Sequence, residues 1–218
     1  MQLNAALSGV LAPPRIATMD IDRSQITAGI LAGGAGRRLG GQDKGWYALD
    51  GRPLIAHTLA RVQDQAGQVL ISANRSLDRY RALGFAVITD ATPGHAGPLM
   101  GLASLLRAVR TPYLLVVPVD TPALPRDLGA RLAAAMTPAI DLARARAGGR
   151  CQPLHALMHR RVRASLDTAL DEDIARVTDW QARLTVCDVD WPQASAFANI
   201  NAPRDLQTWR DGMFHERE

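Results

Sequence analysis

Four short apolar runs, at residues 27–32, 69–73, 86–89 and 113–119, alternate with segments whose leucines and valines recur at helical spacing. Runs that are apolar throughout, rather than alternating with polar residues, read as strands buried on both faces. Repetition of strand and helix argues for an α/β, Rossmann-like three-layer fold with a mainly parallel sheet. Ligands of such sheets gather beyond the carboxyl ends of the strands. This chain places a glycine-rich turn after the first strand, Ser72 and Asn74 at the end of the second, Asp90 after the third and Asp120 after the fourth. All of the candidate polar residues therefore fall on one edge.

The turn reads Leu31-Ala32-Gly33-Gly34-Ala35-Gly36-Arg37-Arg38-Leu39-Gly40-Gly41-Gln42-Asp43-Lys44. Glycines 33, 34 and 36 let the backbone bend sharply and bring its N–H groups close to an anion. Arg37, Arg38 and Lys44 add full charges. Lys44 is the only lysine among 25 Lys+Arg, so an ammonium stands at one place alone. A compact point charge suits a narrow phosphate pocket better than a planar guanidinium. The expected ligand is a polyphosphate. Two familiar loops do not fit: a P-loop needs Gly before the lysine and Ser or Thr after it, and the dinucleotide fingerprint needs a small residue at Leu39.

Composition narrows the class. At 218 residues and 47% hydrophobic, the chain is expected to form one domain, and no apolar window approaches 18 residues. Cys151 and Cys187 match no metal spacing and form no disulfide framework, which favours a reducing cytoplasm and suggests core thiols. The net charge of +4 is dispersed and aromatics are 5%, so neither a nucleic-acid nor a membrane partner is expected. Arg144, Arg146, Arg150 and the run Arg160-Arg161-Val162-Arg163 read as solvated faces, with an anionic substrate or acidic partner as the alternative. His155 and His159 lack the glutamate of a zinc helix, so a metal pair is not expected.

The chain divides into a loose N-terminal extension at 1–25, with Met19 a second candidate start, a nucleotide-binding half at 26–138, and an acceptor-binding half of the same domain at 139–211. A tail at 212–218 follows. Asp50-Gly51 marks a turn before a helix opened by Pro53, and 92–98 is a Gly/Pro-rich loop before another helix. From residue 139 the pattern predicts a small C-terminal α+β lobe folded over the sheet edge. It has a hairpin turn at 147–150, a strand at 152–158, a helix at 160–170, short strands at 185–189 and 197–200, and a closing helix at 203–213.

Val116-Val117-Pro118-Val119-Asp120-Thr121-Pro122 sets a carboxylate at the end of a buried strand, where it needs a cationic or metal partner. Mg²⁺ suits it, because this ion takes one or two carboxylates and completes its shell with water and phosphate oxygens. Together with Leu31-Ala32-Gly33-Gly34, Arg38-Leu39-Gly40-Gly41, Asp43-Lys44-Gly45, Gly97-Pro98-Leu99-Met100-Gly101 and Asn199-Ile200-Asn201, the Val119-Asp120-Thr121-Pro122 motif makes the sequence resemble the molybdenum cofactor guanylyltransferases. The resemblance runs from about Ile26 to about Asp211.

The resemblance implies transfer of GMP from Mg-GTP to the terminal phosphate of molybdopterin, with release of pyrophosphate. It implies that Leu31, Ala32 and Gly33 contact the nucleotide, that Lys44 sits on its phosphates, that Asp90 positions the guanosine and that Asp120 holds magnesium. It further implies that Gly97, Pro98, Leu99, Gly101, Arg176, Asn199 and Asn201 lie at or near the pterin end, and that cofactor-biosynthesis proteins and recipient molybdoenzymes are docking partners. Ser72 departs from the family's Asn. Lys44, Arg38 and Asp120 are the expected catalytic residues, and Gly34, Gly36, Ser72 and Asn74 join the nucleotide contacts. The other readings of the residues are a CTP-dependent or sugar-phosphate nucleotidyltransferase, a non-catalytic nucleotide-binding adaptor and a nicotinamide-dependent oxidoreductase.

Overall fold

The computed structural model describes residues 19–33, 43–90, 97–201 and 205. The four apolar runs form β1 (Ile26–Leu31), β4 (Gln68–Ser72), β5 (Ala86–Ile88) and β6 (Tyr113–Pro118). Between the first two, Asp50 and Gly51 take positive φ and close a small hairpin of β2 (Ala48–Leu49) and β3 (Arg52–Pro53), the geometry that Asp-Gly favours. Helix α1 (Leu54–Val62) follows, then α2 (Leu77–Arg81) and α3 (Pro98–Ala108). The second half contributes α4 (Leu128–Ala134), β7 (Leu142–Ala147), β8 (Arg150–His159), α5 (Arg163–Asp171), α6 (Val177–Gln181) and β9 (Val186–Trp191).

One seven-stranded sheet has the order β5-β4-β1-β6-β8-β7-β9, with only β8 antiparallel to its neighbours. The C-terminal half thus takes the form of a sheet extension carrying its own helices, and the hairpin at Gly148-Gly149, both at positive φ, reverses the chain into β8. Strand order switches at β1, which pairs with β4 on one side and β6 on the other. A crevice opens where successive connections leave in opposite directions, and this is where an α/β sheet binds its ligand.

Burial explains the three layers. Tyr113, Leu115 and Val117 of β6 face a core completed by Ile55, Leu59 and Val62 of α1 and Leu128 and Leu132 of α4. Leu114 and Val116 point the other way, against Leu102, Leu105 and Leu106 of α3, Leu166 of α5 and Trp180 of α6. Alternation along one strand supplies both faces. Thr58 in α1 donates to the Val119 carbonyl at 3.1 Å, tying the helix to the exit of β6.

Three expectations need correcting. Residues 197–200 form no strand: a 3-10 turn spans Ala194–Phe197, and the segment beyond it is held by one backbone bond from Ile200 to Asp120 and by the Asn199 and Asn201 side chains instead of a ladder. Arg144 and Arg146 are not a free basic face; they stand opposite Asp188 and Asp190 in the β7–β9 register and pair with them at 2.6 Å each. Cys151 and Cys187 are half-buried free thiols: Cys187 packs against the core, whereas Cys151 does not, its Sγ donating to Asp188 at 3.5 Å. The first eighteen residues and the predicted closing helix, apart from Asp205, lie outside the described residues.

Candidate active site

The ends of β4, β1 and β6 lie side by side. Leu31 pairs with Ser72 and with Pro118, and beyond the ladder the Ala32 N–H donates to Ser72 O at 2.8 Å and the Val119 N–H to Leu31 O at 3.1 Å. A cavity of about 190 Å³ opens over this edge. Its lining includes Leu31, Ala32, Gly33, Lys44, Ser72 and Asn74, then Asp90, Gly97, Pro98, Gly101 and Asp120. Residues spaced across ninety positions of sequence are brought to one crevice, as the strand-end placement predicts. Gly34, Gly36 and Arg38 lie outside the described residues.

Lys44 is the centre of the site. Its Nζ stands 2.5 Å from Asp120 Oδ2 and 2.5 Å from Asn201 Oδ1. An ammonium carries three N–H donors, so one remains without a partner among the described residues. The turn that delivers it is fixed locally. Asp43 Oδ1 accepts from the Gly45 N–H at 3.1 Å and from the Tyr80 hydroxyl at 2.7 Å, and Tyr80 is fully buried with its ring 5.1 Å from Trp46. Burial, and then the Asp43 carboxylate, push the Tyr80 phenol far above its ordinary pKa, so it stays a donor. A Cβ on Gly45 would lie 2.2 Å from the Tyr80 oxygen. The Asp-Lys-Gly triplet is therefore a cap, a charge and a close approach.

On the opposite wall Asn74 and Asp90 bond reciprocally, with Asn74 Nδ2 donating to Asp90 Oδ2 at 2.7 Å and the Asp90 N–H to Asn74 Oδ1 at 2.9 Å. This leaves Asp90 Oδ1 buried and without a hydrogen-bond partner among the described residues. Gly101 passes so close that a Cβ there would meet Ser72 Oγ at 2.8 Å.

Asp120 Oδ1 is likewise buried and unpartnered among the described residues. Among them, no cluster of three or more His, Cys, Asp or Glu converges to form an all-protein metal cage. One orphaned carboxylate oxygen in a cavity fits Mg²⁺, which keeps several waters and takes its other ligands from phosphate.

The remaining predicted residues fall around this centre. Leu99 is buried and lines a second cavity of about 230 Å³ that shares Gly97 with the first. Arg176 is exposed at the start of α6 and is not part of either lining. Asn199 accepts a bond from Thr121 at 3.1 Å. Tyr80 and Leu154 carry no signal in the sequence, Thr121 is singled out there only as part of the Val119-Asp120-Thr121-Pro122 motif, and His155 only as half of a rejected metal pair. His155 is buried, its pKa pushed down to about 3 by desolvation, so its ring is neutral at neutral pH.

This fold with this site defines a nucleotidyltransferase. A MobA-like NTP transferase domain model matches residues 28–185. Proteins named molybdenum cofactor guanylyltransferase from Shewanella halifaxensis and Shewanella loihica are 39% and 40% identical, over 89% and 88% of this chain and 98% of each relative. The crystal structure of molybdopterin-guanine dinucleotide biosynthesis protein A from Archaeoglobus fulgidus superposes with a TM-score of 0.69 at 22% identity, covering 85% of this chain and 97% of that one. The chain belongs to the molybdenum cofactor guanylyltransferase family.

Proposed function

We propose that the enzyme transfers GMP from Mg-GTP to the terminal phosphate of molybdopterin, forming the guanine dinucleotide and pyrophosphate. The observation that carries this reading is the seating of the sole lysine between Asp120 and Asn201 at the switch point of the sheet. An acceptor phosphate oxygen forms a bond to the α-phosphorus, and the bond to the bridging oxygen breaks with its electron pair leaving on pyrophosphate. Phosphate monoesters have a second pKa of about 6 and are largely ionised at neutral pH. No general base is needed, and among the described residues the cavity lining holds no histidine. The difficulty is to hold two anions together, and positioning with fixed positive charge supplies that. Asp120 Oδ1 would hold the magnesium ion, whose charge would stabilise the phosphates.

The orphaned Asp90 Oδ1 supports guanine, whose Watson–Crick edge offers N–H donors that a carboxylate accepts. Cytosine and adenine place a ring-nitrogen acceptor there. Release of pyrophosphate from GTP, CTP, ATP and UTP, each with molybdopterin, tests the reading. GTP alone is expected to support turnover; equal use of CTP would overturn it. Lys44→Ala and Asp120→Ala are each expected to lose about 100-fold or more in rate while staying folded. We place the reaction in the cytoplasm, with cofactor-biosynthesis proteins and recipient molybdoenzymes taking the product; among the described residues no helix is long and apolar enough to cross a membrane.

A further inference from the structure

Pro153, Leu154 and His155 of β8 have no partners across the sheet. Pairing with β7 passes from Ala156 opposite Arg144 to Gln152 opposite Ala145, and pairing with β6 ends at Ala156. Such a bulge re-aims side chains. Leu154 reaches the cavity lining. His155, 3% exposed, sits with its ring 5.2 Å from Phe197 in an edge-to-face contact and its Nε2 3.1 Å from Thr121 Oγ1. The Thr121 hydroxyl donates to Asn199 Oδ1 at 3.1 Å. A threonine hydroxyl has a single hydrogen. With that hydrogen on Asn199, the imidazole must be the donor to Thr121, which fixes the Nε2–H tautomer of a neutral ring.

The residues after Asn199 lead to the lysine. The Ile200 N–H donates to the Asp120 carbonyl at 2.8 Å, and the Ile200 side chain is buried with Leu49, Leu54 and Ala123. Asn201 Oδ1 then accepts from Lys44 Nζ. Ties on three consecutive residues set where that oxygen stands. The first depends on a hydroxyl that rotates freely unless its lone pair is claimed. We propose that His155 is a positioning residue: its N–H claims the Thr121 oxygen, commits the hydroxyl hydrogen to Asn199, and so holds the 199–201 segment in the place that seats Lys44 beside Asp120. The kinetic arm of the test rests on the guanylyltransferase reading; the tautomer arm does not.

His155→Phe keeps an aromatic ring and removes the donor, whereas His155→Gln restores an N–H at a similar reach. The phenylalanine variant is expected to lower kcat about tenfold, the equivalent of one lost hydrogen bond, with a smaller change in KM for GTP. Glutamine is expected to recover most of the rate. Thr121→Val should lose as much as His155→Phe, and the double variant no more than either, because both cut one chain of bonds. Imidazole ¹⁵N spectra of the wild-type protein should show His155 protonated at Nε2 alone. Wild-type kcat in His155→Phe, no recovery with glutamine, additive losses, or protonation at Nδ1 would each overturn the proposal. If His155→Phe fails to fold, Thr121→Val and the nitrogen spectrum decide. Absence of GMP transfer by the wild-type enzyme counts against the proposed reaction, and the tautomer then judges His155 separately.

Discussion

Tyr80 is not among the residues that line the cavity, yet its hydroxyl holds the Asp43 carboxylate that caps the turn before Lys44. Hydrogen bonds to a charged partner contribute about 2 kcal/mol, so Tyr80→Phe is expected to cost about that in a urea unfolding series and to lower the transfer rate through a looser lysine. A stability loss with an unchanged rate would separate the cap from the charge. Lys44 itself tests the choice of cation. In a position where the side chain is only 16% exposed and already meets two oxygens at 2.5 Å, a planar guanidinium cannot take the same place. Lys44→Arg is therefore expected to remain about 100-fold below wild type in rate, though the formal charge is kept. Rescue by arginine would show that charge alone suffices.

At the scale of elements, the site depends on how closely a helix and a turn approach the strand ends. Helix α3 begins at Pro98 and brings Gly101 against Ser72 and Leu31, where an added Cβ would fall 2.8 and 3.0 Å from their side-chain atoms. Gly101→Ala is expected to push α3 outward or shift Leu31 in the cavity floor, raising KM for the nucleotide about tenfold with little change in folding stability, a cost of roughly 1.4 kcal/mol. Steady-state kinetics with GTP varied checks it. Strand β9 is registered on β7 by charge: Arg144 and Arg146 each meet the aspartate directly opposite. The basic stripe seen in the sequence is half of a ladder whose acidic half lies over forty residues later. Only pairing could reveal that, because sequence spacing does not show which strands become neighbours.

For the whole molecule, acid sensitivity follows from carboxylates held by arginines. Burial pushes Asp141 and Asp188 up, but bonds from Thr185 and Arg161 to the first and from Arg144 to the second outweigh it, and both end below the ordinary range. Groups with depressed folded pKa values stabilise fully above their unfolded value of about 3.9 and lose that contribution as the pH falls through the folded value. The urea midpoint is thus expected to fall already between about pH 6.5 and 5, because buried His155 stays neutral while its unfolded counterpart takes up a proton, and to drop further below about pH 4 as the aspartates protonate, where Asp141→Asn should flatten part of the drop. The alternation of buried strands and helices, and the gathering of Gly33, Lys44, Asp90 and Asp120 at one crevice beyond the strand ends, were legible in the chain itself, because period and burial are local properties. The tertiary structure alone decided that Asn201 and Asp120 share one ammonium, that Tyr80 props the turn beneath it, and that a bulge in the single reversed strand aims His155 at Thr121. Those contacts join residues 34 to 157 positions apart, and what brings them together is the packing of a sheet whose strand order is not the order of the sequence.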